Sequence, residues 1–223
     1  MKTNRLIYVV LFVLSSFIAC KKDKKDTPSN TVKDFDGNVY KTVKIGDQVW
    51  MAENLNSTHY QDGTPILNKN APEEWVKPTA GYCDPDPLKS EYGKMYNWYA
   101  ATDAHNIAPK GWRVPTKDDF ATLIQYLKIN NASDQIVSNK VRETGTTHWS
   151  TDIGANNDTG FTAFPSPYRV DNGTFYLGDF AHYLSSTTDI NNIVFGLIIA
   201  PDKVTLGSLL KGYGGAIRCI QEK

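Results

Sequence analysis

One capped helix, standing between two β-rich segments, constrains the fold of this chain more than any other feature. Thr116 follows Trp112-Arg113-Val114-Pro115 and has Asp119 three residues later, the arrangement of a capping box. Asp118 and Asp119 complement the positive end of a helix that starts there. Phe120, Leu123, Ile124 and Leu127 then recur at the spacing of a single apolar face. A shorter helix is expected over 133–143, with Ile136, Val137, Lys140 and Val141 on one side and Gly145 beyond its end. Residues 93–101 have no clean period and read equally as strand or helix.

The flanks are β-structure. Residues 38–45 (NVYKTVKI) alternate and are rich in β-branched side chains, Gly46-Asp47 is a two-residue turn, and 48–53 (QVWMAE) returns as the partner strand. Beyond the helices, short strands are expected at 160–164, 174–177 and 183–186. Residues 193–200 (IVFGLIIA) form the near-continuous apolar run of a buried central strand, which Pro201-Asp202 turns back into 203–210. Gly212 to Gly215 then turns into a last strand over 216–220. Residues 56–90, with Asp62-Gly63-Thr64-Pro65 and Asp84-Pro85-Asp86-Pro87, are irregular, and so long a patternless stretch is usually functional or mobile. The order of hairpin, long loop, one or two helices and several short antiparallel strands predicts an α+β domain with segregated helices.

The first residues speak of location. Lys2 and Arg5 precede an unbroken apolar run from Leu6 to Leu14, and Ser15 to Ala19 lead with a small residue into Cys20. That is the layout of an export signal, too short in its apolar part to serve as a comfortable membrane span. A small residue followed by Cys resembles a bacterial lipoprotein signal, which makes residues 1–19 a signal peptide and Cys20 the lipidation site. Lys21 to Thr27 is a charged run that cannot pack, so residues 20–33 are expected to be a flexible tether ahead of a domain at 34–223. About 190 residues then remain, enough for one core of ordinary size.

Charge excludes one class of partner. The chain has 24 basic and 24 acidic residues, and removal of Lys2 and Arg5 with the leader leaves a small acidic excess. A nucleic-acid partner would call for a basic face, so none is expected. With Cys20 lipidated, Cys83 and Cys219 remain, an even number in an oxidising compartment. They form either a disulfide across a long loop or two buried thiols, because spacing in sequence says nothing of their separation.

Reactive constellations are sparse. His59, His105, His148 and His182 never fall at metal-ligand spacing with Cys or with one another, so no zinc site is expected, and His148-Trp149 reads as a packed loop. Asp84, Asp86 and Asp158 carry oxygens that suit Ca²⁺, yet Asp-Pro-Asp-Pro and Asn156-Asn157-Asp158 read more simply as turns. Ser185-Ser186 lacks a nucleophile-elbow context and no activated thiol stands out. The expectation is a protein that is not an enzyme and carries neither cofactor nor metal.

Six segments together resemble one family. They are Asp36 to Gly46 with Trp50-Met51-Ala52-Glu53-Asn54-Leu55; Tyr92-Gly93-Lys94-Met95-Tyr96-Asn97-Trp98-Tyr99-Ala100; Gly111-Trp112-Arg113-Val114-Pro115-Thr116; Glu143-Thr144-Gly145-Thr146-Thr147-His148-Trp149; Gly160-Phe161-Thr162-Ala163; and Ile217-Arg218-Cys219. In this order they are similar to the Fibrobacter succinogenes major paralogous domain, over residues 34–222. The Trp-Arg-Val-Pro-Thr helix start, Tyr183-Leu184-Ser185-Ser186-Thr187 and the Arg-Cys end also resemble the C-type lectin-like fold shared with formylglycine-generating enzymes. The resemblance implies exported, cell-surface or lipoprotein modules of Bacteroidetes-type bacteria, with no established common activity. Members often carry a Cys near Ile107-Ala108-Pro109, where this chain has none, so any bridge must use Cys83. The Glu-Pro-Asn and Trp-Asn-Asp motifs of calcium-dependent sugar-binding lectins are absent, and the resemblance to formylglycine-generating enzymes is one of scaffold alone.

The functional expectation is therefore a binding module on the outer cell envelope, held to the membrane by a palmitate-class anchor, that recognises a glycan or another surface protein. The alternative is a structural or assembly component of the envelope with no small ligand. Trp75, Tyr82, Tyr168 and Tyr183 are the contact candidates, because rings beside amides stack on sugar faces or anchor protein partners.

Overall fold

A computed structural model describes residues 30–85 and 90–223. The leader, Cys20 and most of the tether, together with Asp86 and Pro87, lie outside them.

The chain is α+β and rich in antiparallel strands, with few helices. β1 (Thr31–Lys33), β2 (Val39–Ile45) and β3 (Gln48–Met51) form a meander, and β2 and β3 are joined by the expected two-residue turn, with Gly46 at φ +61°. β1 falls inside the stretch read as tether: its three residues pair with β2, so ordered structure begins by Thr31, ahead of residue 34. α1 (Pro72–Trp75) and β4 (Tyr82–Cys83) lie within the long irregular segment. The ambiguous stretch divides between both readings: β5 (Met95–Asn97) runs straight into α2 (Trp98–Ala101), because the Asn97 side chain accepts from the Ala100 amide and caps the turn.

β6 (Trp112–Arg113) leads to α3 (Lys117–Leu127), which has the capping box in full. Asp119 N–H donates to Thr116 Oγ1 at 3.2 Å, and Thr116 N–H donates to Asp119 Oδ2 at 2.7 Å. Phe120, Leu123 and Leu127 are buried as the spacing required. α4 (Asp134–Val141) is shorter than expected and turned: Val137, Ser138 and Val141 face inward while Ile136 is exposed. It ends before Gly145 because Arg142 is already extended and forms a bridge with Ala163, the one ladder contact, among the described residues, of the strand expected at 160–164.

β7 (Tyr168–Arg169), β8 (Phe175–Tyr176), β9 (Ala181–Thr188), β10 (Ile193–Ala200), β11 (Lys203–Leu210), β12 (Gly214–Gly215) and β13 (Ile220–Gln221) complete the chain. Three sheets result, in the orders β1-β2-β3-β13-β6, β11-β10-β9 and β4-β5-β12-β7-β8. The end of the chain returns to its beginning, with Ile220 opposite Trp50.

Two cores lie on opposite faces of the central strands, and period-two alternation assigns residues between them. Trp50, Ile220 and Tyr183 join α3 and α4 in one; their neighbours Met51, Cys219 and Leu184 join Leu55, Tyr96 and Ile217 in the other. Trp50 stacks on Phe120 at 5.6 Å with planes 9° apart, which docks the capped helix on the sheet. Among the described residues no helix is long and apolar enough to cross a membrane.

Candidate functional site

The contact candidates separate by burial. Trp75 is 1% exposed, Tyr82 8% and Tyr183 0%, so three of the four rings are core residues in this structure and not surface contacts. The reason is local in each case. Trp75 lies under the Arg169 guanidinium at 4.8 Å and against Gly214, where a Cβ would come within 2.6 Å of its ring. Tyr82 pairs across the ladder with Tyr96 in β5. Tyr183 meets Phe161 edge-on at 5.8 Å, beneath the Arg218 guanidinium. Tyr168 is half-buried and reaches the surface.

Cys83 and Cys219 are free thiols, both fully buried and in separate clusters. Of the two readings left open, the structure takes the thiols over the disulfide. Cys83 packs with Trp75 and Met95; Cys219 packs in the larger core. Burial pushes the Cys83 thiol up to about 12 and raises that of Cys219 further, so neither is ionised at neutral pH. Asp84 pairs with Lys94 at 2.5 Å and Asp158 accepts from Asn156, while His148 stacks on Phe164 with Nδ1 at 2.8 Å from Glu143. Among the described residues, no three His, Cys, Asp or Glu converge as a metal site.

Tyr168 stands at the edge of a cleft that the sequence did not announce. β7 and β8 form a hairpin through Gly173, whose φ is +86°. Alternation sends Arg169 inward and Tyr168 toward the cleft. Arg169 is fully buried and hydrogen-bonds backbone carbonyls: Nη1 donates to that of Lys69 at 2.7 Å, Nη2 to that of Asn70 at 2.9 Å, and Nε to that of Gly173 at 2.9 Å. Its planar fork thus ties the hairpin to the irregular segment, using three carbonyls that would otherwise be costly to bury. Directly across the pair, Tyr176 stacks on Tyr168 at 5.3 Å and 18°, and Phe180 flanks Tyr168 at 5.8 Å.

Behind this row of three rings is a cavity of about 210 Å³, lined by Tyr168, Phe180, His182, Ile198, Leu209 and Tyr213. Its floor exists because of glycines. His182 pairs with Ile198 and Ile198 with Thr205, while the next row of the same sheet face holds Gly196 and Gly207. Ile198 folds over Gly207, where a Cβ would lie 2.1 Å from its Cδ1. The His182 ring sits between Gly196 and Gly215, where added Cβ atoms would lie 3.1 Å from Nε2 and 3.3 Å from Nδ1. Glycine inside a strand marks such a close approach of other groups to the backbone.

His182 is 2% exposed, and among the described residues neither ring nitrogen has a hydrogen-bond partner. Burial holds its pKa down to about 4, so the imidazole is neutral at pH 7. Among the described residues, no charged side chain lines the cavity. Phe175, Tyr176 and Leu177 continue the apolar surface outside it, each at least 41% exposed. A cleft with aromatic and aliphatic walls beside one buried polar group has the chemistry of a binding site for an uncharged, largely apolar contact.

Comparison with known proteins places the chain. The family model of the Fibrobacter succinogenes major domain matches residues 43–221, and the chain belongs to that family. No curated protein and no solved structure matches it.

Proposed function

We propose that this member of the Fibrobacter succinogenes major domain family is a non-catalytic binding module of the cell envelope whose contact surface is the Tyr168 cleft. One observation carries the reading: Tyr168, Tyr176 and Phe180 form a row of rings held at the surface by a buried guanidinium, beside a cavity with an unpartnered histidine. Rigid aromatic groups presented by an ordered scaffold bind at low entropic cost. The surface moves from Trp75, Tyr82 and Tyr183 to Tyr168, Tyr176, Phe180 and Tyr213, because the first three are spent on packing.

The anchor belongs to the same proposal. A lipid at Cys20 would hold the domain on the outer membrane at the end of a short charged segment. The C-type lectin-like fold is our reading of the architecture; it is supported by the meeting of β13 with β3, the capped helix after Trp112-Arg113-Val114-Pro115 and the long irregular segment between them.

The test is in-cell cross-linking together with a glycan array, comparing wild type with the pair Tyr168→Ala and Tyr176→Ala. Binding to any partner that falls at least about tenfold in the variant supports the cleft as the contact surface. Binding that is undiminished in the folded variant overturns it.

A further inference from the structure

β11 is the outer strand of the β11-β10-β9 sheet, and its register fixes which of its backbone groups are used. Ala200 and Lys203 close a two-residue turn as a hydrogen-bonded pair, and the pairs of β10 and β11 alternate from there. Lys203, Thr205, Gly207 and Leu209 therefore turn their N–H and C=O groups toward β10, whereas Val204, Leu206, Ser208 and Leu210 turn theirs outward. Two other bonds agree with this phase. Tyr213 N–H donates to the outward Leu210 carbonyl at 2.9 Å, and across the sheet Leu184, opposite Gly196, donates away from β10 to the Ala216 carbonyl at 2.9 Å. Among the described residues, the one other group that meets this edge is the Thr205 hydroxyl, 3.3 Å from the Leu206 carbonyl.

α4 packs on the turn that begins the strand. Gln135 and Ser138 donate to the carbonyls of Pro201 and Ala200, and Val204 is buried beneath the helices. Past that point the strand comes into the open: Leu206 is half-buried, and Ser208 and Leu210 are exposed. Edge strands are normally guarded by charge, proline, a bulge or a covering element, because their unpaired groups are a template for another strand. Residues 204–210 (VTLGSLL) contain neither charge nor proline, and they pair with β10 without a bulge. The guards stand at the ends, with α4 and Lys203 at one and Lys211 at the other.

Those lysines indicate what the edge takes. A second copy paired along the whole strand, antiparallel about Gly207, would set Lys203 opposite Lys211 at both ends, and like charges directly opposite are destabilising. Asp202 stands beside Lys203 in the chain. Lys211 has its ammonium over the Trp98 ring at 4.3 Å and, among the described residues, no carboxylate partner, so a carboxylate brought alongside would meet a cation. We propose that the open part of β11, Leu206 to Leu210, receives an extended segment of a different protein as a further strand of this sheet, uncharged and β-branched along that stretch and acidic beside Lys211. Main-chain bonds to the outward groups supply affinity in such an addition, and alternate side chains supply specificity. On one face they would pack on Leu206 and Leu210, and on the other on Leu209 and on Ile198 where it folds over Gly207. The proposal goes beyond the Tyr168 cleft, with which this edge shares Leu209.

The experiment is fluorescence anisotropy and amide hydrogen exchange on the full chain with synthetic peptides of alternating threonine and valine. Each carries glutamates at one end or the other and has a twin with lysines in their place. A glutamate peptide is expected to bind about tenfold more tightly than its twin and to protect the amides of Leu206, Ser208 and Leu210 from exchange. Strand addition uses every second amide of the peptide, so N-methylation of one alternate set should abolish binding and of the other should not. Lys211→Glu should reverse the preference between the twins. Ser208→Pro removes an outward N–H and no ladder bond, and should weaken binding at least about tenfold. Melting temperatures show whether it folds, and Lys211→Glu stands as the test if it does not. Binding of neither glutamate peptide overturns the proposal, as does binding that both N-methylated forms retain or that leaves Leu206 and Ser208 unprotected. Self-association of the full chain that Ser208→Pro abolishes also overturns it, because the edge then belongs to a second copy.

Discussion

Arg218 donates through Nη2 to the carbonyl of Thr162 at 2.9 Å, and Thr162 is a β-branched residue held at φ +53°. The same guanidinium donates to the Phe161 carbonyl and to Asn54 Oδ1, and its plane lies over the Phe161 ring at 4.6 Å. Two carbonyls and an amide oxygen from chain segments more than a hundred residues apart converge on one buried cation. The strained backbone at Thr162, which costs about 1–3 kcal/mol on its own, persists because these bonds and those from Asn157 over-determine it.

Arg218→Lys should therefore destabilise the fold strongly. A point-like ammonium cannot serve three divergent acceptors, so about 2–4 kcal/mol of stability should be lost although the charge is kept. Urea denaturation measures it. A loss below about 0.5 kcal/mol would mean that the fork geometry is not what holds Thr162.

Stability should fall on mild acidification in a way that depends on His182. Its folded pKa is depressed to about 4 by burial, below an unfolded value near 6.5, so between these limits the unfolded chain binds the extra proton. The stabilisation is complete above pH 6.5 and is lost as pH falls through 4, by about 3 kcal/mol at pH 4. His182→Phe should remove that part of the pH dependence and, by discarding two unsatisfied nitrogens, match or exceed wild type in stability. Parallel pH profiles for the two proteins would contradict this.

Cys83 and Cys219 should react with a thiol reagent only when the protein unfolds. Both are buried free thiols with raised pKa values. A reductant should leave the melting temperature unchanged. A drop of several degrees on reduction would point to a bridge between them.

Cys20→Ala should release the chain from the membrane. One acyl chain binds membranes only marginally and stable anchoring needs more than one, which is what a lipidated Cys20 would supply. Fractionation with detection of cleavage is the measurement. A cleaved Cys20→Ala protein that stays with the membrane would rule out anchoring at this residue.

Much of the secondary structure was legible before the fold was known, for identifiable reasons. The β2–β3 hairpin, the box at Thr116 and Asp119, and the extents of β10 and β11 follow from turn chemistry and periodicity, which act over a few residues. α4 was placed correctly, and Val137 and Val141 face inward as read, but the helix is rotated enough to leave Ile136 outside. Its apolar residues did not reveal that Ser138 would be drawn inward to donate to the Ala200 carbonyl at 2.5 Å, leaving Ile136 outside. β1 was missed because Thr31-Val32-Lys33 is too short to carry a pattern and exists only by pairing with β2.

The candidate site was legible only in part, and the division has one cause. Sequence by itself determined which segments could be strand, helix or turn, and that aromatic side chains were plentiful in the loops. It could not say which rings would be consumed as core, since Trp75, Tyr82, Tyr168 and Tyr183 all sit in similar local surroundings. Tertiary structure decided that. The guanidiniums of Arg169 and Arg218 were drawn inside by carbonyls distant in sequence, burying Trp75 and Tyr183 beneath them and leaving Tyr168 on the outward face of its strand. Propensity and capping are local and can be read along the chain; burial and the satisfaction of buried polar groups depend on what the rest of the chain brings alongside.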